Sequence, residues 1–291
     1  MTRMANLRDP LRNNFRDQLA AAQATNGSML CIGLDPEPAR FPGAWQGDAS
    51  RIHDFCAAIV EATRDLVIAY KPQIAYFAAQ RAEDQLEQLM HTIRRIAPQV
   101  PVILDAKRGD IGATAAQYAS EAFERYQADA LTLSPFMGYD SIEPYLRYAG
   151  KGLFLLCRTS NPGGADLQGQ RLADGSLLYE HVARLAHGPW NHDGHHSRLG
   201  LVVGATYPQE LARVRELAPH APLLIPGVGA QGGEIDATVR AAWREGAPIV
   251  VSSSRAVLYA GHDADFALAA RRIALATRDA LERARAAMSA P

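Results

Sequence analysis

The chain has 291 residues, of which 48% are hydrophobic, so it can bury a large core, and its length fits one large α/β barrel as well as two small domains. Its 30 basic and 31 acidic residues nearly cancel, which leaves no global field that would attract nucleic acid or an anionic membrane. No apolar run forms a secretory signal or approaches the length of a membrane span, so we expect a cytoplasmic protein with no membrane segment.

Short apolar runs alternate along the chain with stretches of helical periodicity. The predicted strands are residues 29–34, 66–70, 100–104, 130–133, 152–157, 199–203, 222–225 and 248–251. The predicted helices between them include residues 52–63, 79–96, 113–126, 209–217 and 235–243. Eight strand-helix units predict a closed (β/α)8 TIM barrel, a single α/β domain over residues 1–291. An open doubly wound sheet is the alternative, but no Gly-x-Gly-x-x-Gly follows the first strand.

Segments outside that repeat lie at both ends of the chain and after the fifth strand. Residues 1–27 predict a helical extension packed outside the barrel, and residues 264–287 predict a long final helix. Residues 158–198 form a long insertion that contains Thr-Ser-Asn-Pro-Gly-Gly, a helix predicted over 177–186 and a His-rich stretch. Such an excursion at the carboxyl end of a strand is typical of a lid or an interface.

In a barrel the active site lies where the strands end, so the residues that close each strand are the candidates for chemistry. Asp35 follows the first strand in Ile-Gly-Leu-Asp-Pro, where it can accept hydrogen bonds from hydroxyl groups or cap the next turn. Lys71 ends the second strand, which is predicted to be buried, and therefore needs a charged partner. Asp105 on the third strand is the candidate for that partner.

The third strand ends in the most informative segment, residues 105–114, which reads Asp-Ala-Lys-Arg-Gly-Asp-Ile-Gly-Ala-Thr. Alternation along a strand puts Asp105 and Lys107 on one face, and the turn at Gly109 lets Asp110 approach that face. Two carboxylates would then bracket one ammonium, while a substrate carboxylate beside Asp105 would be repelled. One such contact is worth roughly 4 kcal/mol at about 4 Å and an effective dielectric of about 20. The pattern favours a reaction that expels carbon dioxide.

Polar residues also follow the fourth, seventh and eighth strands. Ser134 begins a Ser-Pro-Phe turn after the fourth strand. A Gly-rich loop with Gly229 and Gln231 follows the seventh strand, and Ser-Ser-Ser-Arg, which ends in Ser254 and Arg255, follows the eighth. Barrels bind phosphate at these two loops through backbone amides, and an arginine can add a bidentate contact. The two loops together predict a phosphate site.

The Asp-Ala-Lys-Arg-Gly-Asp-Ile motif resembles that of the orotidine 5'-phosphate decarboxylases, specifically the longer bacterial type (type 2 subfamily), and the resemblance extends over essentially all eight strand ends. It implies conversion of orotidine 5'-phosphate to uridine 5'-phosphate and carbon dioxide, a step of pyrimidine biosynthesis, without cofactor or metal ion. Lys107 would be the proton donor, in a charged network with Lys71, Asp105 and Asp110.

The resemblance also implies what the remaining candidates bind. Asp35 would accept hydrogen bonds from the ribose hydroxyls, and Ser134 would bond the pyrimidine ring. Gln231 and Arg255 would hold the 5'-phosphate. The family often has Gly just before this arginine, where the chain has Ser254, so the backbone contact at that position differs from the family pattern.

A second subunit is a further implication of the resemblance. Asp110, Ile111 and Thr114 would reach into the active site of the neighbouring subunit, which makes the expected protein a homodimer acting on a small nucleotide. Residues 159–168 resemble the family's cover over pyrimidine and phosphate.

Two other functions stay open at this point. Metal-dependent sugar-phosphate decarboxylases and aldolases on the same barrel also use Asp-x-Lys-x-x-Asp. The pattern in those enzymes resembles a magnesium site, with an acid at the end of the second strand. This chain has Lys71 there, which would repel a cation. A non-catalytic barrel could bind nucleotide phosphate alone, although phosphate binding needs none of the four charged residues. The spacing of Cys31, Cys56 and Cys157 favours neither a disulfide framework nor a zinc site.

The histidines of the insertion are the one cluster that could suggest a metal. Their context is rich in Gly and Asp and lacks regular helical spacing, which favours a solvated loop, and we expect no metal. These residues are His187, His192, His195 and His196.

Overall fold

The computed structural model describes residues 14–191, 198–228 and 234–288. The strands are β1 Leu30–Leu34, β2 Ala69–Pro72, β3 Ile103–Arg108, β4 Ala130–Leu133, β5 Gly152–Arg158, β6 Leu199–Val203, β7 Leu223–Pro226 and β8 Ile249–Ser253. The helices are α1 Phe15–Asn26, α2 Ile52–Thr63, α3 Ile74–Ala78, α4 Glu83–Ile96, α5 Gly112–Ser120, α6 Glu143–Leu146, α7 Gly164–Gln168, α8 Leu178–His187, α9 Pro208–Leu217, α10 Ile235–Ala242, α11 Arg255–Leu258 and α12 Phe266–Met288. A π-helical turn, Glu121–Arg125, continues α5, and 3-10 turns lie at Pro38–Arg40, Gly43–Trp45, Ala49–Arg51 and Tyr139–Ser141.

The eight strands of the described residues pair in parallel in the order β2-β1-β8-β7-β6-β5-β4-β3. The two end strands meet through isolated bridges that join Tyr70 to Val102 and Gln73 to Asp105, so the sheet closes into a barrel with a thinly bonded seam. Short apolar strands alternating with amphipathic helices give this architecture because each helix covers one outer face of the sheet. The predicted (β/α)8 barrel of one domain is confirmed.

Helix α1 closes the amino-terminal end of the barrel. Phe15 packs edge-on against Phe154 of β5, with ring centroids 5.7 Å apart, and Leu19 and Ala22 join the same buried cluster inside the barrel. A Cβ on Gly152 would lie 2.2 Å from the ring of Phe15, so only glycine leaves room for it. The sequence predicted a helix packed outside the barrel. In the structure this helix lies across the open amino-terminal end of the barrel, and its apolar side chains join the interior cluster.

Element boundaries differ from the prediction where the backbone takes an unusual conformation. The helix predicted over 79–96 begins at Glu83, since Arg81 has a left-handed φ of 53° that ends the preceding short helix. The helix predicted over 113–126 is interrupted at Glu121 by the π-helical turn. Strand β3 runs to Arg108 rather than ending at residue 104, so the charged motif lies on the strand itself.

The insertion after the fifth strand carries two helices, α7 and α8, before β6 begins at Leu199. Its residues 192–197, including three of the four histidines discussed above, lie outside the described residues. Among the described helices, none combines the length and the hydropathy that a membrane crossing requires.

Candidate active site

A buried carboxylate between two ammonium groups forms the centre of the site. Asp105 is 6% exposed, and its Oδ2 lies 2.8 Å from Nζ of Lys71 across the seam between β2 and β3. Its other oxygen, Oδ1, lies 2.7 Å from Nζ of Lys107. The predicted pairing of Lys71 with Asp105 is therefore present, and so is the shared face of Asp105 and Lys107.

A bulge in β3 produces that shared face. The register between β3 and β4 shifts between Leu104 and Arg108, and Lys107 has a left-handed φ of 47°. The hydroxyl of Thr132, on β4, accepts hydrogen bonds from the backbone N–H groups of Ala106 and Lys107, each at 3.0 Å. Simple strand alternation does not describe this geometry, because the neighbouring strand supplies a side chain in place of its backbone.

The electrostatics of the buried pair keep both of its members charged. Burial alone would raise the pKa of Asp105, but the ammonium groups of Lys71 and Lys107 outweigh it and hold that pKa far below its usual range. Burial alone would lower the pKa of Lys71, but the carboxylates of Asp105 and Asp35 raise it above its usual value. The site therefore presents a fixed negative charge beside two positive ones.

Two adjoining cavities share these charged groups. The larger, about 530 Å³, extends from them over Thr132 to residues 159–168. The smaller, about 250 Å³, extends from them toward the ends of β1, β7 and β8. A ligand that occupied both cavities would place one end beside the charges and the other at the predicted phosphate loops. The residues that line both cavities are Lys71, Asp105, Lys107 and Pro226.

The smaller cavity contains three of the predicted ligand-binding residues. The hydroxyl of Ser254 donates to Oδ2 of Asp35 at 2.5 Å, while Oδ1 of Asp35 is buried and has no hydrogen-bond partner among the described residues. Arg255 is exposed and lines the same cavity. Asp35 lines the same cavity, and its Oδ1 is a buried acceptor to which no described residue donates. Gly229 and Gln231 lie outside the described residues.

Asp110 does not bracket Lys107 within one chain, so that part of the sequence interpretation is wrong for a single subunit. No ion pair joins the two in the described residues, and the Asp110 carboxylate instead accepts the backbone N–H of Ile111 at 2.8 Å. Asp110 lies in the turn between β3 and α5 and is not part of the lining of either cavity. Ile111 is 46% exposed, and Thr114 is exposed as well.

Ser134 lies beside a different cavity. It lines an apolar space of about 320 Å³ together with Phe136 and Trp190. This space adjoins the larger cavity through Leu156, Leu167 and Gln168, but Lys107 is not part of its lining. Ser160 lines the cavity with Lys107 and was missed by the sequence interpretation. A Cβ on Gly204 would lie 2.7 Å from the Cβ of Ser160, so this close approach depends on glycine. The signal was the Thr-Ser-Asn-Pro-Gly-Gly turn at the end of β5.

Arg158 is a second residue that the sequence interpretation left without a role. It ends β5 and is 4% exposed, with Nε 2.6 Å from Oε2 of Glu210 on α9 and the guanidinium 4.5 Å from the ring centroid of Tyr207. It also donates to the carbonyl of Thr159 at 2.9 Å. The first residue of the segment over the larger cavity is thereby tied to α9. Like Lys71, it is a charged residue that ends a buried strand.

The segment that lines the outer side of the larger cavity, residues 159–168, is closed on itself by side-chain hydrogen bonds. Oε1 of Gln168 accepts the backbone N–H of Thr159 at 2.8 Å, and Nε2 of Gln168 donates to the Thr159 hydroxyl at 2.9 Å. Within the described residues, no group of three or more His, Cys, Asp or Glu side chains could hold a metal ion.

This arrangement suits a reaction in which an anion develops next to an ammonium. Lys107 can donate a proton at the point where the cavity meets Asp105, and preorganised positive charge stabilises a developing carbanion. Asp105 is fixed in its charged form by Lys71, so it repels a substrate anion placed beside it. At the far end of the smaller cavity, Arg255 supplies a cation of the kind that pairs with phosphate oxygens.

Comparison with known proteins gives the same assignment from several directions. Residues 28–271 match the model of the "Orotidine 5'-phosphate decarboxylase / HUMPS family". The chain is 71% identical over 280 residues to an orotidine 5'-phosphate decarboxylase of Methylibium petroleiphilum, covering 94% of this chain and all of the relative. It is 74% identical over 275 residues to the one of Polaromonas naphthalenivorans, covering 94% and 96%. The solved structure of Leishmania donovani OMP decarboxylase superimposes with a TM-score of 0.77 at 39% identity, covering 91% of this chain and 99% of that one.

Proposed function

The chain belongs to the orotidine 5'-phosphate decarboxylase / HUMPS family, and we propose from this premise that it converts orotidine 5'-phosphate to uridine 5'-phosphate and carbon dioxide, with Lys107 as the proton donor. The observation that carries the proposal is the contact of 2.7 Å between Nζ of Lys107 and Oδ1 of Asp105, at the meeting point of the two cavities.

The reaction has a simple balance of atoms and electrons. The bond between C6 of the pyrimidine and its carboxylate breaks, carbon dioxide leaves, and the electron pair stays on C6. The Lys107 ammonium stabilises that carbanion and transfers one proton to C6, which yields the product. Solvent then returns a proton to the Lys107 amine.

Asp105 and the phosphate loops serve this step in different ways. Asp105 positions Lys107 through their ion pair and opposes the substrate carboxylate, a contact that is relieved as carbon dioxide leaves. Arg255 and the loop with Gln231 would bind the 5'-phosphate, far from C6. Binding energy from that remote group can offset the electrostatic stress at the reacting end. We assign the larger share of catalysis to carbanion stabilisation, since it acts directly on the developing charge.

The larger cavity also suggests which groups bind the pyrimidine. Ser160, which faces the cavity with Lys107, is better placed for this role than Ser134. Asp35, with its unpaired Oδ1, is the ribose ligand of the proposal.

The function is tested by following the loss of orotidine 5'-phosphate absorbance with purified protein and two variants of Lys107. Both Lys107→Ala and Lys107→Arg should lower kcat at least about 10³-fold, since alanine has no proton and arginine does not release one. Binding of uridine 5'-phosphate, measured by calorimetry, should largely survive. Lys151, the third of the chain's three lysines, donates to the Ala128 carbonyl away from the cavities, so Lys151→Ala is the matched control and should keep full activity. Full turnover by Lys107→Ala would remove the proposed proton donor.

The two other functions considered from the sequence are not favoured. A metal-dependent sugar-phosphate enzyme requires an anionic ligand where Lys71 forms its buried pair with Asp105. A barrel that only bound nucleotide would not need the charged centre, and the relatives at 70% identity or more are named as decarboxylases.

The proposal extends to assembly and location. We assign the chain to the longer bacterial type on its Asp-Ala-Lys-Arg-Gly-Asp-Ile motif, and infer a homodimer in which Asp110, Ile111 and Thr114 complete the partner's site. The exposed apolar side chains Ile111 and Phe136, 46% and 74% exposed, support an interface at this end of the barrel. The three buried cysteines are free thiols, which agrees with the reducing cytoplasm.

A further inference from the structure

Thr132 makes three hydrogen bonds to the segment that carries the charged centre. Its side chain is 1% exposed, and its hydroxyl donates to Oδ1 of Asp105 at 2.8 Å while accepting the backbone N–H groups of Ala106 and Lys107 at 3.0 Å each. A hydroxyl has one proton to donate and two lone pairs, so every hydrogen-bonding position of this side chain is used.

The bulge in β3 explains why a side chain is needed there. Where the register between β3 and β4 shifts, the part-buried amides of Ala106 and Lys107 turn to a side chain for an acceptor. Lys107 also holds a left-handed φ of 47°, which a residue with a Cβ keeps only when its surroundings enforce it. The amide of Lys107 and the amide before it both donate to the same oxygen atom, the Thr132 hydroxyl.

The orientation of the hydroxyl is fixed by charge. Asp105 accepts from Lys107 and from Thr132 on the same oxygen, Oδ1, so the carboxylate directs the hydroxyl proton toward itself and the lone pairs toward the two amides. With the proton turned away from Asp105, the hydroxyl would direct a lone pair at the carboxylate and its proton at one of the N–H groups.

We propose that Thr132 is a positioning residue for catalysis, which holds the Lys107 ammonium and the Asp105 carboxylate in register through the bulge; the inference rests on the proposed function. Thr132 also lines the larger cavity, but its hydroxyl is fully used by protein groups, so it acts through Lys107 and Asp105 and not on the substrate.

The test separates the hydroxyl from the volume of the side chain. Thr132→Val keeps the shape without the hydroxyl and should lower kcat about 10- to 100-fold, as expected from the loss of a hydrogen bond to a charged group. The KM for orotidine 5'-phosphate should change by less than about 3-fold, because Thr132 does not bind the substrate in the ground state. Thr132→Ser keeps the hydroxyl and should retain kcat to within about 3-fold of wild type.

A matched control comes from another buried threonine. Thr63 on α2 is 0% exposed and its hydroxyl bonds the Ile59 carbonyl at 2.7 Å and the Tyr70 hydroxyl at 2.9 Å. Thr63→Val should lower the melting temperature and leave kcat unchanged. If Thr132→Val does not fold, Thr132→Cys, with its weaker S–H donor, should give a kcat below that of Thr132→Ser.

The outcomes are distinct. Unchanged kcat in Thr132→Val or Thr132→Cys, or a serine variant as slow as the valine variant, would overturn the positioning role while leaving the proposed function intact. Wild-type protein that does not decarboxylate orotidine 5'-phosphate would overturn the proposed function itself, before any variant is compared.

Discussion

Asp105 contributes both to the stability of the fold and to the proposed reaction. Its buried carboxylate neutralises Lys71 across the seam and holds Lys107 in the cavity. Removing one member of a buried ion pair leaves the other charge desolvated and unpaired, which costs more than the pair contributes. Substitution of Asp105 should therefore affect both the stability of the fold and the activity, and the two effects can be measured separately.

Asp105→Asn keeps the shape of the side chain and should lower the free energy of unfolding by roughly 3–5 kcal/mol, since the Lys71 ammonium stays buried without a counter-charge. Chemical denaturation measures the loss. The double variant Lys71→Met with Asp105→Leu removes both charges and should recover most of that stability while remaining inactive. An Asp105→Asn variant as stable as wild type would show that the ion pair of Lys71 with Asp105 has little effect on folding.

The same pair predicts how stability depends on pH. The pKa of Asp105 is depressed from its ordinary value of 3.8, so its contribution is complete above that value and is lost as the pH falls through the lower pKa of the folded state. The pKa of Lys71 is raised from 10.5, so its contribution is complete below that value and is lost as the pH rises through the higher folded pKa. From about pH 5 to pH 9 the difference in unfolding free energy between wild type and the double variant should stay constant. A steady slope across this window would contradict the assignment.

At the scale of elements, α1 covers one end of the barrel, and the charged centre of the proposed active site lies at the other end. Its Phe15 ring fills the space above Gly152 and packs against Phe154. The sequence predicted a helical extension over residues 1–27 packed outside the barrel, but it did not predict that the described part, α1, covers the open end. The reason is that Gly152, at the start of β5, leaves space for the Phe15 ring, and this space exists only once the strands have assembled into the barrel.

Phe15→Ala should lower the free energy of unfolding by roughly 3–5 kcal/mol, because it leaves a cavity at the closed end of the barrel. The value of kcat should not change, since the charged centre lies at the other end. Leu268→Ala, at a residue 58% exposed on α12, is the control and should cost less than about 0.5 kcal/mol. A loss of kcat in folded Phe15→Ala protein would show that the two ends are coupled.

Much of the site could be predicted from the sequence because its charged residues lie at or near the carboxyl ends of short apolar strands, and a charge there has few structural explanations. The composition held another signal: the chain has 27 arginines and three lysines, and two of those lysines flank Asp105. Arginine does not release its proton, so a proton donor at this position has to be a lysine, as Lys107 is. The bulge could not be predicted, since it depends on Thr132 of another strand, and neither could the turn that directs Asp110 away.

At the scale of the whole molecule, the proposed dimer predicts complementation between two inactive proteins. If each site takes Lys107 from one chain and Asp110 from its partner, a mixed dimer of Lys107→Ala and Asp110→Ala chains contains one intact site. Random assortment should restore about a quarter of wild-type activity, because half of the dimers are mixed and half of their sites are intact. Coexpression with two different affinity tags isolates the mixed species. If that species is inactive, Asp110 serves its own subunit or none.

The seam between β2 and β3 has one more consequence. Every other pair of neighbouring strands is joined by a parallel backbone ladder, with register shifts in two of them. At this seam two isolated bridges and the ion pair of Lys71 with Asp105 join the neighbouring strands. The ion pair that joins this seam therefore belongs to the charged centre of the proposed active site. A protein engineer who removes these charges must therefore restore the contact between β2 and β3 in another way.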